Sequence, residues 1–143
     1  MVDQVLKAYP NDVNFVYKQF PLPATMHPNA MPAAKAAAAA GKQGKFWEMH
    51  DTLFQNNREL GFEKLKEYAG KIGLDVARWE KDYNAPEVEQ EIKKDMADGQ
   101  AADVTGTPTF FVNGKRATGR SLDAFKEMID ATLKAQGGDK QGG

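Results

Sequence analysis

The sequence contains no cysteine among its 143 residues. This absence excludes disulfide bonds, thiolate metal ligands and a cysteine nucleophile, although it does not by itself identify the redox compartment. The two histidines, His27 and His50, are too few to form a zinc site. His27 is expected as a loop or cap residue, and His50 as a packed or partly exposed structural residue on a helix. We therefore predict no metal and no cofactor.

Long apolar runs and an excess of one charge are also missing. The longest run of small apolar residues, Ala36 to Ala40, is far shorter than the roughly 20 residues needed to cross a bilayer, so no membrane span is predicted. Nineteen basic and twenty acidic residues leave a net charge of -1, which gives no long-range field to attract nucleic acid. The N-terminal residues lack the basic start and apolar centre of a secretion signal.

The residues that are present suit one helix-rich globular domain. Hydrophobic residues make up 41% of the chain and charged residues 27%, and two tryptophans and eight phenylalanines supply core material. We predict a domain over residues 1–135. Residues 136–143 are polar and glycine-rich, which predicts a flexible tail.

The first half of the chain begins with the end of a helix at residues 2–8. Val13 to Phe20 then places residues alternately on two sides before Pro21 stops the pattern, which predicts a strand that is partly buried on both faces. Residues at about 30–103 follow as a helical block that opens with alanines. Apolar residues in this block recur at helical spacing, so we predict four or five helices, with Asp75 as one N-terminal cap and Pro86 at another first helical position.

The last part of the chain contains the firmest local pattern. Asn113-Gly114 between two short β-favouring runs, Thr109–Val112 and Lys115–Thr118, predicts a hairpin with a two-residue turn. Ser121 is placed to cap a final helix. This order of elements is an α/β arrangement with a helical insertion, and it matches a thioredoxin-like order without its first strand.

Three stretches carry a resemblance to a known family. Residues 104–114, Val-Thr-Gly-Thr-Pro-Thr-Phe-Phe-Val-Asn-Gly, resemble the segment that precedes the third core strand of DsbA-like thioredoxin-fold proteins. Residues 46–54, Phe-Trp-Glu-Met-His-Asp-Thr-Leu-Phe, resemble the helical insertion of that branch. Residues 16–22, followed by His27-Pro-Asn-Ala30, resemble its second core strand and exit. The resemblance covers roughly residues 2–134.

The resemblance implies a function and a site. It implies an α/β, DsbA-like fold with an inserted helical subdomain, a place in the protein disulfide oxidoreductase/isomerase family and an extracytoplasmic, periplasmic location. It also implies a cis bond before Pro108, which turns the N–H and C=O of Thr107 outward to hold an extended peptide. Thr107 and Pro108 are thus the predicted substrate-binding residues. Sequence alone favours trans, since X-Pro bonds are cis in only about 5–6% of cases, and a proline that merely opens a strand is the alternative.

The sequence departs from the family where its chemistry is carried out. The family's first strand leads into a Cys-x-x-Cys motif, whereas this chain has no cysteine and resembles the family only from the end of the following helix. Exchange requires a thiolate, so we predict no catalytic residue and no exchange activity for the chain as given. The alternative function is a redox-dead module that binds polypeptide or a partner through the Thr107-Pro108 groove. A glutathione-transferase-like enzyme is a third possibility, but the N-terminal residue that would activate the thiol is lacking.

A missing first strand would leave the strands at 13–20 and 109–112 on either side of an empty slot. Unpaired backbone groups there cost on the order of 1 to 3 kcal/mol each. The slot can close by direct pairing, it can be filled by a second copy, or the natural gene product can start upstream. We predict a homo-oligomer that completes the sheet, with a wrong start site as the competing hypothesis.

Overall fold

The computed structural model describes the backbone of residues 1–141 and the side chains of residues 1–136. Helices predominate, and the sheet in the described chain has two strands. In chain order the elements are α1 (Val2–Ala8), α2 (Ala30–Gly41), α3 (Phe46–Gln55), α4 (Phe62–Lys71), α5 (Val76–Tyr83), α6 (Pro86–Ala101), β1 (Phe111–Val112), β2 (Lys115–Arg116) and α7 (Leu122–Gln141).

The chain divides into two compact units. The first contains Met1–Tyr17 and the residues from Gly106 onward, so it holds α1, the hairpin and α7. The second, Lys18–Thr105, holds the five helices α2 to α6. The helical block predicted at about residues 30–103 lies inside this second unit.

The helical unit is built around α2, whose alanines allow neighbouring helices to approach closely. Ala36, Ala39 and Ala40 are fully buried, and α3, α4, α5 and α6 all contact this helix. Trp79 of α5 is also fully buried, and its indole Nε1–H donates to the Ala36 carbonyl oxygen at 3.1 Å. This bond satisfies the polar atom of the largest core side chain, which would otherwise be costly to bury.

The helix ends in this unit follow local rules. The Asp75 carboxylate accepts from the backbone N–H of Arg78 at 3.1 Å, so it caps α5 as predicted. Pro86 occupies the first turn of α6, also as predicted. Gln43 lies in the loop before α3, and its amide both donates to the Asp75 carbonyl and accepts from the Asp75 N–H. The Gln43 side chain thus pairs with both backbone groups of Asp75, and this pairing joins the loop before α3 to the loop before α5.

The first unit has a small core between α1, the hairpin and α7. Val5, Phe125 and Ile129 are its buried members, and Val13 and Phe110 are among the half-buried residues packed on them. Ser121 caps α7 as predicted, because its Oγ accepts from the Ala124 N–H at 3.1 Å.

The hairpin forms where it was predicted. Phe111 pairs with Arg116 and Val112 with Lys115 in an antiparallel register. The turn residues Asn113 and Gly114 have φ angles of 46° and 83°, as a primed two-residue turn requires. The strands are two residues long, shorter than the predicted runs, although the Ala117 N–H still donates to the Phe110 carbonyl at 2.8 Å.

The strand predicted at Val13–Phe20 is wrong. The sheet of the described residues consists of β1 and β2, and 13–20 is not part of it. Its last residues are instead bound to α6: Lys18 pairs with Asp98 at 2.7 Å, and the Gln19 N–H donates to the Asp95 carboxylate at 3.0 Å. The pattern of alternation is that of a strand, but a strand needs an adjacent strand to pair with, and the Asp95 side chain takes the backbone donor here.

Two further predictions concern the ends and the membrane. The predicted flexible tail, residues 136–143, lies almost wholly outside the residues whose side chains the structure describes, and it stays a prediction. The backbone of α7 is helical to Gln141.

Within residues 1–141, no helix combines the length and the apolar character that a bilayer crossing needs.

Candidate functional site

The candidate site is the Thr107 segment, residues 106–109, which connects the helical unit to the hairpin. After α6, the Val104 N–H donates to the Gly99 carbonyl at 2.9 Å and closes the helix. The Thr107–Pro108 peptide bond is cis, both residues are exposed, and Thr109 is half-buried. The middle of the segment is therefore exposed to solvent, whereas Thr109 at its end is partly covered by the rest of the chain.

Hydrogen bonds within this segment leave one residue's backbone available. The Thr109 hydroxyl donates to the Gly106 carbonyl at 2.7 Å and so holds the turn around Pro108. The backbone N–H and C=O of Thr107 form no hydrogen bond within the described part of the chain. Exposed backbone groups of this kind can pair with an extended peptide.

The hairpin behind the segment is anchored by an aromatic contact. The rings of Phe110 and Phe125 meet edge to face, with centroids 5.2 Å apart and planes at 79°. Because Phe125 is buried in α7, this contact fixes the strand that follows Pro108. The Thr107 segment is thus held at its C-terminal side by packing and not only by its own turn.

The register of the hairpin leaves one edge of β1 open. The Phe110 carbonyl accepts from Ala117, and the pair Phe111–Arg116 is the next along the ladder. Since hydrogen-bonded pairs alternate with non-hydrogen-bonded pairs in antiparallel strands, the backbone groups of Phe111 point away from β2. Among the described residues no third strand pairs with that edge.

In the first unit, a side-chain hydrogen bond links Tyr9, the residue after α1, to α7. The Tyr9 hydroxyl donates to Asp130 Oδ1 at 2.6 Å. This hydrogen bond, followed by desolvation and the negative charge of Asp130, raises the pKa of Tyr9 to about 12. The phenol therefore keeps its neutral, donating form to a higher pH than an ordinary tyrosine does.

The histidines and carboxylates do not converge on a second site. His27 lies in a turn, where its N–H donates to the Pro23 carbonyl, and His50 sits on α3 between Phe46 and Phe54. Over the described residues, no three histidine or carboxylate side chains group as metal ligands would. A shallow concavity on α1 is lined by Asp3, Leu6, Lys7 and Pro10, none of which is a predicted site residue.

Sequence reasoning identified Thr107 and Pro108 but missed the residues that hold the segment. The Thr109 hydroxyl could have been found from sequence, because a threonine directly after a proline turn often bonds to nearby backbone. An open edge along residues 109–112 was predicted, and the hairpin register adds that the backbone of Phe111 faces it. The binding of Lys18 and Gln19 to α6 had no local pattern, since the partners are 76 to 80 positions away.

Comparisons with known proteins support the family and the fold. The family model of the DSBA-like thioredoxin domain matches residues 1–130. A solved structure of a thioredoxin-like oxidoreductase from Silicibacter pomeroyi DSS-3 superposes with a TM-score of 0.73 at 28% sequence identity, and the match covers 93% of this chain and 75% of that one. The predicted α/β thioredoxin-like fold, mostly helical with a small sheet, is confirmed.

Curated relatives place a similar segment inside much longer proteins. Na(+)/H(+) antiporter NhaA 1 of Mycobacterium sp. (strain KMS) is 38% identical over 120 residues, which are 82% of this chain and 19% of the antiporter. NhaA 1 of Salinispora arenicola (strain CNS-205) is 40% identical over 133 residues, 92% of this chain and 20% of the antiporter. The chain thus spans about a fifth of the length of these relatives. With a family model matched across residues 1–130, the chain belongs to the DsbA-like thioredoxin domain family.

Proposed function

We propose that this chain is a polypeptide-binding DsbA-like module that performs no thiol–disulfide exchange of its own. The second half of the proposal follows from chemistry: exchange proceeds by thiolate attack on a disulfide sulfur, and the chain has no cysteine. The family supplies the expectation of a polypeptide ligand. The antiport activity of the curated relatives gives no support to a transport role here, because the chain spans only about a fifth of them.

The observation that carries the binding proposal is the backbone of Thr107. Thr107 is an exposed residue, and its N–H and C=O lack hydrogen-bond partners within the described residues, while Thr109 and Phe110 beside it are bound to the rest of the first unit. A rigid donor–acceptor pair binds an extended peptide at a smaller entropic cost than a mobile loop would. We propose that Thr107 pairs with the peptide backbone and that Pro108 packs against it.

A labelled, cysteine-free extended peptide titrated by fluorescence anisotropy tests this mode of binding. The matched ligand is the same peptide with its central amide N-methylated, which removes a backbone donor without changing the side chains. We expect the unmodified peptide to bind at least several-fold more tightly, because each lost hydrogen bond costs roughly 0.5–1.5 kcal/mol. Equal affinities for the two peptides would contradict backbone pairing at Thr107.

Thr109→Val tests whether the segment must be held for binding. The change removes the hydroxyl that bonds to Gly106, so we expect weaker peptide binding with little change in side-chain volume. Thr132→Val is the control, because Thr132 makes the same kind of bond to the Met128 carbonyl at 2.8 Å in α7. If both variants bind the peptide as the unaltered chain does, the Thr109 hydroxyl does not hold the segment for binding, and that step of the proposal is wrong.

The redox half has its own test. In a thiol-dependent reduction of insulin, the purified chain should give the rate of buffer alone. A rate above buffer that persists after removal of contaminating thioredoxins would refute it, whatever the peptide titration shows.

The open edge of β1 favours one further element of the proposal, a second copy of this chain as partner. Phe111 is 40% exposed and its backbone faces that edge, and exposed edges pair readily with other strands. Sedimentation at micromolar concentration should therefore detect a dimer that dissociates on dilution. A monodisperse monomer across this range would rule out self-association.

A further inference from the structure

The outward side of α3 carries large aromatic side chains in contact with solvent. We call Trp47, Asp51 and Phe54 the α3 outer face, since positions i, i+4 and i+7 lie on one side of a helix. Trp47 is 44% exposed and Phe54 is 67% exposed, whereas Met49 and Leu53 on the other side are buried. Two exposed aromatics on one helix face are typical of an interaction surface.

His50 contacts both of these aromatic rings. Its ring lies 5.2 Å from Trp47, edge to face, and 4.7 Å from Phe54, centroid to centroid. His50 Nδ1 also lies 3.2 Å from Asp51 Oδ1, so the carboxylate is placed beside the rings. Because the side chains of this face already contact one another, less conformational entropy is lost when a partner binds.

The charges of α3 indicate what kind of group fits this face. The helix carries Glu48 and Asp51 but no lysine or arginine, and the Asp51 side chain is 72% exposed. Exposed tryptophan and phenylalanine would also suit a lipid surface, but two carboxylates repel the anionic headgroups that recruit peripheral proteins. A cation is attracted both to the aromatic faces and to the carboxylate.

We propose that the α3 outer face binds an arginine side chain of a partner protein. The planar guanidinium stacks on Phe54, which is 67% exposed, while its N–H groups donate to Asp51. Arginine fits better than lysine because it can stack and donate in parallel, whereas an ammonium is a compact, strongly hydrated charge. The proposal uses no observation on Thr107, so either proposal can fail without the other.

NMR titration of the chain with a short blocked peptide, Gly-Arg-Gly-Arg-Gly, tests the proposal through the tryptophan indole N–H signals. The Trp47 signal should shift in a saturable way, and the Trp79 signal should stay, because Trp79 is fully buried and bonded to Ala36. The same peptide with citrulline in place of arginine keeps the shape and loses the charge. We expect it to bind at least severalfold more weakly.

Two variants test whether the arginine peptide binds at the α3 outer face. Asp51→Asn should weaken arginine-peptide binding roughly fivefold, as expected for one exposed charge pair, and Phe54→Ala should weaken it without unfolding the chain, since Phe54 is mostly exposed. Glu87→Gln is the matched control, because it removes one exposed carboxylate from the first turn of α6. Equal losses in Asp51→Asn and Glu87→Gln would reduce the effect to net charge and overturn the proposal.

Two other outcomes would also overturn it. Citrulline and arginine peptides that bind equally would remove the cation from the explanation. A Trp47 shift produced by phosphatidylcholine–phosphatidylglycerol vesicles, with none from the peptide, would show that the face contacts lipid and not a protein. A Trp47 shift with the arginine peptide, lost in Asp51→Asn and kept in Glu87→Gln, supports the proposal.

Discussion

Among the described glycines, Gly99 is the one where an added side chain would be most crowded. A Cβ at this position of α6 would lie 2.8 Å from the Phe20 ring, closer than carbon atoms normally approach. Glycine inside a helix costs roughly 0.5–1 kcal/mol relative to alanine, so its presence here needs a reason. The reason is that the Phe20 ring packs directly on the helix backbone.

We therefore expect Gly99→Ala to lower stability. Overpacking typically costs about 1–3 kcal/mol, which exceeds the gain in helix propensity. Gly70→Ala is the control: it is also a helical glycine, but its Cβ would meet Val76 at an ordinary 3.7 Å, so it should stabilise by up to about 1 kcal/mol. Urea unfolding of both variants measures the difference in the free energy of unfolding.

The double variant Phe20→Ala/Gly99→Ala separates the steric clash from other effects. With the ring removed, the added methyl group should raise stability relative to Phe20→Ala alone, and so reverse the sign of the single change. A Gly99→Ala variant that is as stable as Gly70→Ala would mean that the ring moves aside without cost.

Tyr9 is a second residue with a measurable signature. Its pKa of about 12 lies above the ordinary value of 10.0 because Asp130 accepts its proton in a hydrogen bond. The stabilisation from this bond is fully present below a pH of about 10, the pKa in the unfolded chain, and is lost as the pH rises through the folded value. Phenolate absorbance, assigned by difference from Tyr9→Phe, should place the Tyr9 titration near pH 12 in the folded chain and at a lower pH in Asp130→Ala. Asp123→Ala, on the same helix, should leave it unchanged.

At the scale of elements, the hairpin is specified by its turn. Asn113 and Gly114 both have positive φ, a backbone conformation that residues other than glycine and asparagine rarely adopt. The turn fixes which residues of β1 and β2 pair, and thus which edge of β1 is open.

Gly114→Ala should destabilise the first unit by about 1 kcal/mol, because alanine at φ 83° is strained even though nothing lies within 4 Å of its Cβ. Asn113→Gly should be close to neutral, since glycine also accepts a positive φ. Chemical denaturation of the two variants, followed by hydrogen exchange at the Ala117 amide, measures the effect. Equal stability of Gly114→Ala and the unaltered chain would contradict a primed turn.

The elements that were predicted correctly are those with local causes. Helix caps at Asp75 and Ser121 and the Asn-Gly turn each depend on residues within a few positions of one another. The strand at 13–20 was wrong because alternation specifies two faces but not a partner. Its end is bound by Asp95 and Asp98, and a pattern read along the chain cannot show a contact with residues so distant in sequence.

At the scale of the whole molecule, the two units differ in the size of their cores. The helical unit has two clusters of buried residues, which include Trp79 and Ile92. The core of the first unit has three buried residues and is smaller. Most of the burial that stabilises the chain therefore lies between residues 18 and 105. As for the candidate site, the family resemblance identified Thr107 and Pro108, but their role in binding stays a prediction because affinity depends on a ligand that no sequence pattern specifies.

We expect a fragment of residues 18–105 to fold alone, because the residues of both its clusters lie within it. Circular dichroism should show a helical spectrum and a cooperative thermal transition. A fragment carrying Trp79→Ala is the control, and it should lose this transition, since removing a buried tryptophan costs about 3–5 kcal/mol. A gradual, non-cooperative melt of the unaltered fragment would show that the helical unit depends on the rest of the chain.

The packing at Gly99 brings together the two ends of the helical unit. Phe20, just after the chain enters the helical unit, and Val104, just before it leaves, both pack at this one glycine. The unit's two ends are therefore side by side, as they are in domains that tolerate insertion into a host. The remainder of the chain needs to bridge only a short gap whether the insert is long, short or replaced, so the helical unit can change in size while the hairpin and its flanking helices keep their connections.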